Sequence, residues 1–578
     1  MPQKILRFFD RESKRVTEAA FILAGSGILA DLLSLFRDRL LAARFGASRE
    51  LDLYYAAFRV PDFIYTFSLF FAASTALLPI LVEKFSEDET KAKVFFRDIF
   101  SLFGITALAL VALAYFLMPA VSPYVAPGFL PEEGARMILL SRILLFSPLL
   151  LGLSSLVSSV VQSFRRFYVY ALSPLLYNLG IIFGILFWEP VFGLPGIVWG
   201  VVLGAALHLW VQLPTVFSLG FTLWPRFPKI SREVISSLKL SLPRTLGLSL
   251  NQLVLTVITA LGSTLGAGAV AVFNFAQNLQ SVPLSVIGLS YAVGVFPTLS
   301  ISFVRNRRNE FLEHFSLAFR HIVFWSLPAT VLFIVLRAQI VRVILGAGAF
   351  SWMDTRLVAA ALLLLSLSIL AQGLVMLLVR AFYAAGHTFL PVGINLISSV
   401  ATIAGAFGAL GWFQNSPAFR SWFLGVLKVP DFSGAGVLVL PLAVSLGSLI
   451  NVFLLLIYFK RIFGSFDGGA RLPASPGLQR GEPDGQGLNR SLRDAALSSV
   501  ILGAATYYAL KLFALLFRLD TFVGIFSQGF LAGTLGILAG ALVLYWVQNR
   551  EFQEISSAFR RKLWREVPVV ASEPEKLP

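Results

Sequence analysis

Between residues 31 and 62 the chain sets Asp31, Arg37, Asp38, Arg39, Arg44, Arg49, Glu50, Asp52, Arg59 and Asp62 into largely apolar sequence. Ionised side chains at membrane depth are costly unless paired or hydrated, so each marks a candidate functional group. Arg37 and Arg44 are seven residues apart, as are Asp31 and Asp38. A helix running through to Gly46 carries each pair on one face. Asp52, Tyr55, Arg59 and Asp62 follow at i, i+3, i+7 and i+10, a second polar stripe, and Pro61 predicts a kink beside it. Structural pairing (Arg37 with Asp38 or Asp62, Asp52 with Arg59) accounts for any one of these residues. As a group they point to a hydrated cavity. A guanidinium stays charged and grips oxyanions through two parallel bonds, so a cavity lined by arginines fits an anionic, phosphorylated substrate. Farther along, Arg244 lies deep in an apolar run and joins the candidate cavity residues. Asn274, Gln277, Asn278 and Gln280 are amides of the kind that tie helices together. His208 reads as a buried, hydrogen-bonded histidine rather than a ligand.

The elements that must hold these residues are membrane spans. Of the 578 residues, 57% are hydrophobic and 13% charged, and the mean hydropathy is +0.80. About 20 apolar residues cross the hydrocarbon core as a helix. Fourteen such spans are expected, with cores near 19–36, 53–82, 98–120, 137–162, 168–188, 193–217, 238–263, 269–302, 320–345, 356–382, 388–413, 435–459, 495–517 and 521–547. The fold class is therefore an all-α polytopic membrane protein. Alternate loops are basic (Lys84 and Lys91; Arg165 and Arg166; Arg305, Arg307 and Arg308; Lys460 and Arg461), which places both termini in the cytoplasm. The first turn, with Arg37, Arg39, Arg44 and Arg49, runs against that pattern.

VQSFRRFYVYALSPLLYNLG at 161–180 resembles VRAFYAAGHTFLPVGINLI at 379–397, aligning Phe164, Pro174 and Asn178 with Phe382, Pro391 and Asn395. This internal repeat predicts two pseudo-symmetric six-helix lobes in one orientation, with a site between them. The expected organisation is a basic N-terminus (1–18), a first lobe (19–220), a linker (221–237), a second lobe (238–460), a Gly/Pro-rich flexible linker (461–494), a helix pair (495–547) and an amphipathic tail (548–578).

Other classes are disfavoured. The chain has no cysteine, no GxxxxGK[ST] phosphate loop and no HExxH, and its four histidines are scattered, so neither ATP hydrolysis nor a metal centre is indicated. The net charge of +16 does not imply nucleic acid, because the basic residues lie between apolar runs where they meet anionic lipid headgroups.

The stretch FRDRLLAARFGASRELDLYYAAFRVPD (36–62) resembles the signature of the MurJ/MviN lipid II flippases of the MOP exporter superfamily. The matching parts are Arg37-Asp38, Ala43-Arg44-Phe45-Gly46, Asp52 and Ala57 to Asp62. LLPILVEKF (77–85), APGF (126–129), QLP (212–214) and SLPRTLGLSLNQ (241–252) add support. The resemblance implies fourteen helices, two lobes around a cationic cavity and a C-terminal pair forming a lipid-tail groove. It also implies transport of undecaprenyl-diphosphate-linked peptidoglycan precursor, lipid II, from the inner to the outer leaflet of the bacterial plasma membrane. Alternating access would be driven by membrane potential or a monovalent ion, without ATP or a cofactor. Partners implied are lipid II, membrane lipids and cell-wall synthesis proteins. Well-known members carry basic residues at positions that here hold Asp31, Tyr65 and Asn278, so Arg37 alone is kept from that set. Arg44, Arg59 and Arg244 are the candidates for compensating charge. The alternatives are another MOP exporter, for polysaccharide lipids or for drugs and cations, and a non-transporting cell-wall scaffold acting through 463–493 and the tail.

Overall fold

The computed structural model describes residues 16–72, 81, 83–85, 87–225, 227–228, 232–429, 434–465 and 487–563. At 244 and several other helical positions only the backbone is described. The described elements are helices. The first half holds α1 Val16–Phe45, α2 Arg49–Ala57, α3 Arg59–Ala72, α4 Glu89–Val125, α5 Pro131–Leu144, α6 Phe146–Ser163, α7 Phe167–Phe183, α8 Leu194–Trp210 and α9 Leu213–Ser218. The second holds α10 Arg232–Ser263, α11 Ala269–Pro283, α12 Ser290–Val304, α13 Arg308–Val335, α14 Arg337–Leu345, α15 Trp352–Ser366, α16 Ile369–Ala384, α17 Phe389–Asn415, α18 Pro417–Leu427 and α19 Val439–Phe463. Three more follow: α20 Gly487–Phe513, α21 Phe522–Trp546 and α22 Arg550–Leu563. A π-helical turn extends α7 through Gly184–Trp188, and another, Leu284–Leu289, joins α11 to α12.

Among the described residues, eleven helices are long and apolar enough to cross a membrane, or twelve when α15 and α16, bent by 44°, count as one span. These match twelve of the fourteen expected spans. The other two are special. Span 19–36 lies in α1, which carries five charged residues between 31 and 44. Span 53–82 is broken at Phe58 and runs into 73–80, outside the described residues. Two boundaries also move. The expected span 320–345 is α13, which ends at Val335, followed by a separate α14. Helix α20 begins at Gly487, inside the segment expected as linker, whose residues 466–486 lie outside those described.

Packing repeats between the halves. Helix α1 packs on α7 and α7 on α8; correspondingly, α10 packs on α17 and α17 on α19. The buried side chains form three cores. One is shared, joining residues of α1, α2, α5 and α7 to residues of α10, α11, α15 and α19 at the end of the molecule that carries Phe45. Toward the opposite end lie two separate cores, one around Phe96, Phe103 and Val160 of the first half, which also takes in Val234 at the start of α10, and one around Phe311, Phe315 and Phe382 of the second. The halves are thus fused at one end and separately packed at the other.

The α7–α8 pair is a glycine seam. A Cβ on Gly180 would lie 2.3 Å from the Cα of Gly204, and one on Gly184 would lie 2.6 Å from the Cα of Gly200. Small residues four apart let two backbones approach and maximise dispersion contact where no hydrophobic drive separates helix from lipid. The seam fixes α7, which presents Tyr177 and Asn178 to the space beside α1. Gly200→Leu is expected to abolish accumulation of folded protein, whereas Gly405→Ala, with no atom within 4 Å of its new Cβ, leaves it unchanged. Detergent-solubilised yield and thermal unfolding check this pair, and equal behaviour of the two would refute the seam's role.

Candidate functional site

Helix α1 brings Arg37 to the inner wall between the halves. Its Nε and Nη2 donate to Asp38 Oδ1 at 3.0 and 2.8 Å. Nη2 also donates to Ser34 Oγ (3.1 Å) and Nη1 to Asn178 Oδ1 of α7 (3.4 Å). The other oxygen of Asp38 accepts from Asn278 Nδ2 of α11 at 2.8 Å. Asp38, with its side chain only 2% exposed, therefore ties Arg37 of one half to Asn278 of the other. Two turns back along α1, Asp31 Oδ2 accepts from Ser285 Oγ of the second half at 2.7 Å.

Pro61 has no N–H to donate to the carbonyl of Ala57, so the helix breaks at Phe58. The freed Ala57 carbonyl is taken by the Ser141 hydroxyl of α5 at 3.0 Å. Beyond the break, α3 aims Arg59 and Asp62 inward. Arg59 is 5% exposed, and its Nη2 donates to Asn274 Oδ1 of α11 at 2.8 Å. Its Nε has no hydrogen-bond partner among the described residues.

Two adjoining chambers form the cavity. One, of about 220 Å³, is lined by Arg37, Arg59, Asp62, Asn274 and Asn278 with Tyr54, Tyr55 and Tyr177. The other, of about 280 Å³, is lined by Asp62, Tyr65, Ser147, Tyr177, Asn178 and His208. Phe58, Asp62 and Tyr177 belong to both. His208 is bonded as expected, its Nδ1 2.7 Å from Ser154 Oγ, yet it also faces the second chamber. Guanidinium groups on one wall, a carboxylate at the junction and amides opposite suit a polar, anionic headgroup.

Other sequence candidates lie elsewhere. Asp52, fully buried, accepts from the backbone N–H groups of Gly268 (2.7 Å) and Ala271 (2.9 Å). It caps the N-terminus of α11 across the interface between halves, where unpaired amides and the helix dipole favour an anion. Arg44 is about half exposed at the fused end, paired with Glu189 at 2.6 Å. Arg39 donates to the carbonyls of Val343 (2.7 Å) and Ile344 (3.1 Å) at the end of α14. The Arg244 side chain lies outside the described residues. Conversely, Tyr177 and Ser285 were not singled out by sequence. Tyr177 adjoins the repeat residue Asn178, a usable signal; a serine among so many carries none.

A family model described as lipid II flippase MurJ matches residues 41–527. The chain is 29% identical over 377 residues to the probable lipid II flippase MurJ of Buchnera aphidicola subsp. Acyrthosiphon pisum (strain APS), covering 64% of this chain and 74% of that protein. Among solved structures it is similar to a lipid II flippase MurJ in an inward closed conformation, with a TM-score of 0.67, 23% identity and coverage of 94% of this chain and 100% of that one. It is also similar to an inward-facing multidrug resistance MATE family transporter of the MOP superfamily, with a TM-score of 0.61, 14% identity and coverage of 76% and 95%. At these identities the two structures establish the fold.

The position of Asp52 separates a structural role from a cavity role. Asp52→Ala strands two buried amides and is expected to destabilise the protein by about 1–3 kcal/mol. Asp52→Asn, which keeps one acceptor, should lose less. Headgroup affinity of the folded fraction should be unchanged in both. Thermal unfolding alongside a binding titration reads the two effects separately, and a selective loss of affinity would contradict the capping assignment.

Proposed function

Since the chain belongs to the lipid II flippase MurJ family, we propose that it carries lipid II from the inner to the outer leaflet of the bacterial plasma membrane by alternating access. It is a multi-pass transporter and not an enzyme. The observation that carries the reading is the pair Arg37 and Arg59, facing one cavity between two halves that are fused at one end and separately packed at the other. A diphosphate is the part of lipid II that such guanidiniums recognise.

The separately packed end carries the basic loops with Arg165, Arg166, Arg305, Arg307 and Arg308. By the positive-inside rule that end is cytoplasmic and the fused end external, so the conformation receives substrate from the cytoplasmic side. The repeated neighbour relations and the twelve apolar spans support fourteen spans in two six-helix lobes with both termini cytoplasmic, and α20 and α21 as an added pair. The basic amphipathic stretch from α22 onward suits the anionic inner leaflet. A net anion moving outward is favoured by a potential negative inside, at roughly 2.3 kcal/mol per charge per 100 mV, which supports transport without ATP.

Arg37→Ala should fail to sustain growth of a flippase-depleted strain even when expression is raised to the wild-type protein level, which separates lost transport from the destabilisation of stranding Asp38. Arg37→Lys keeps the charge but loses the fork, and should lower leaflet exchange of lipid II about tenfold, the worth of one charge-assisted bond. Wild-type growth with Arg37→Ala would sink the proposal.

A further inference from the structure

The charges described around the cavity do not sum to a cationic site. Arg37 is set against Asp38 and Arg59 against Asp62, Asp31 adds a third carboxylate two turns back along α1, and two of the positions where the resembled family carries a basic residue hold uncharged Tyr65 and Asn278. Two of the three carboxylates keep a donor independent of the arginines: Asp31 has Ser285 and Asp38 has Asn278. Asp62 differs. It alone of the three lines the open volume of both chambers, its charge partner is Arg59 on its own helix, and the nearby Gln252 Nε2 of α10 makes no hydrogen bond among the described residues. A headgroup diphosphate that engages Arg37 and Arg59 withdraws Arg59 from Asp62. It also sets two negative charges beside a carboxylate in a partly desolvated chamber, where like-charge repulsion is least screened. Protonating that carboxylate removes the conflict and turns it into a hydrogen-bond donor toward the phosphate.

We propose that Asp62 is a proton-binding site filled as the lipid diphosphate binds, so that each headgroup enters the cavity with one proton. The proposal rests on the flippase reading. The groups facing Asp62 are consistent with it. From its own helix come Arg59 and Tyr65; from α1, Arg37 and Asp38; from α2, Tyr54 and Tyr55. Helix α7 adds Tyr177 and α8 adds His208, while α11 contributes the amides Asn274 and Asn278. Phenols titrate far above neutrality. His208 is the competing proton site, but it lines the farther chamber and its Nδ1 is engaged by Ser154 Oγ, away from the arginines.

The full-length protein in nanodiscs is titrated calorimetrically with lipid II, in two buffers of different ionisation enthalpy, between about pH 6.5 and pH 8. A diphosphate esterified at both ends keeps two charges over this range, so protons taken up belong to the protein. The expected result is uptake approaching one proton per headgroup and an affinity that rises as pH falls, by up to about tenfold per pH unit. Asp62→Asn should bind at least as tightly, take up no proton and show a flat profile, and His208→Gln, whatever its affinity, should keep the proton uptake and the slope of affinity with pH. No uptake by the unsubstituted protein, a pH profile unchanged in Asp62→Asn, or uptake lost in His208→Gln overturns the proposal. Should Asp62→Asn not fold, the unsubstituted protein and His208→Gln still decide. No binding of lipid II at any pH overturns the flippase reading and this proposal with it.

Discussion

One carboxylate joins the two halves at the level of the cavity. Asp38 takes two bonds from Arg37 and one from Asn278. Breaking a buried charged pair by removing one partner costs about 3–5 kcal/mol, because the other charge is left stranded. An oxyanion that competes for Arg37 supplies the arginine with a new partner and takes one from Asp38. Headgroup binding and the tie between halves then draw on the same guanidinium. A transporter needs a ligand that distinguishes two conformations, and a shared partner is a direct physical source of that difference.

The fused end shows why closure there uses polar groups as well as packing. Beside the shared apolar core, the Ala349 amide donates to the Ala43 carbonyl at 2.8 Å, and a Cβ on Gly348 would lie 2.2 Å from that carbonyl oxygen. Gly348 has φ +52° and Gly46 φ +61°, backbone that favours glycine, so the two turns can nest. Asp52 adds a buried cap from one half onto a helix of the other. If the end opens, water can satisfy each of these groups, so their net contribution is modest and reversible. Purely apolar closure would be harder to reverse. The separate cores at the other end have no such obligation to each other.

Sequence made much of this legible. Long apolar runs gave twelve spans that the structure repeats, and the charges crowded into 31–62 pointed to Arg37, Arg59 and Asp62, which do share a cavity. It misplaced residues where a helical wheel was carried too far. Arg44 shares a face with Arg37, but seven residues of helix rise about 10 Å, which takes Arg44 out to Glu189 at the surface. Asp52 shares a stripe with Arg59 only if the helix is continuous, and Pro61 breaks it between them. What lay beyond reach was pairing across the halves. Neither Asp52 with the amides of Gly268 and Ala271 nor Asp31 with Ser285 has a spacing signature, since the partners are more than 200 residues away.

The same pairing resolves the anomaly of the first turn. The topology rule counts basic side chains near span ends because a free positive charge resists translocation. Here Arg37 lies on Asp38, Arg39 on two helix-end carbonyls, Arg44 on Glu189 and Arg49 on Glu133 at 3.2 Å. None of the four is an unpartnered charge in the folded protein. Their number in sequence is high, yet their net contribution at that face is small, because three carboxylates and two carbonyls oppose them. A loop can therefore break the residue count while respecting the electrostatics behind it. In this chain the apparent violation marks where arginines have been drawn into the interface between halves, and of the four only Arg37 turns toward the cavity.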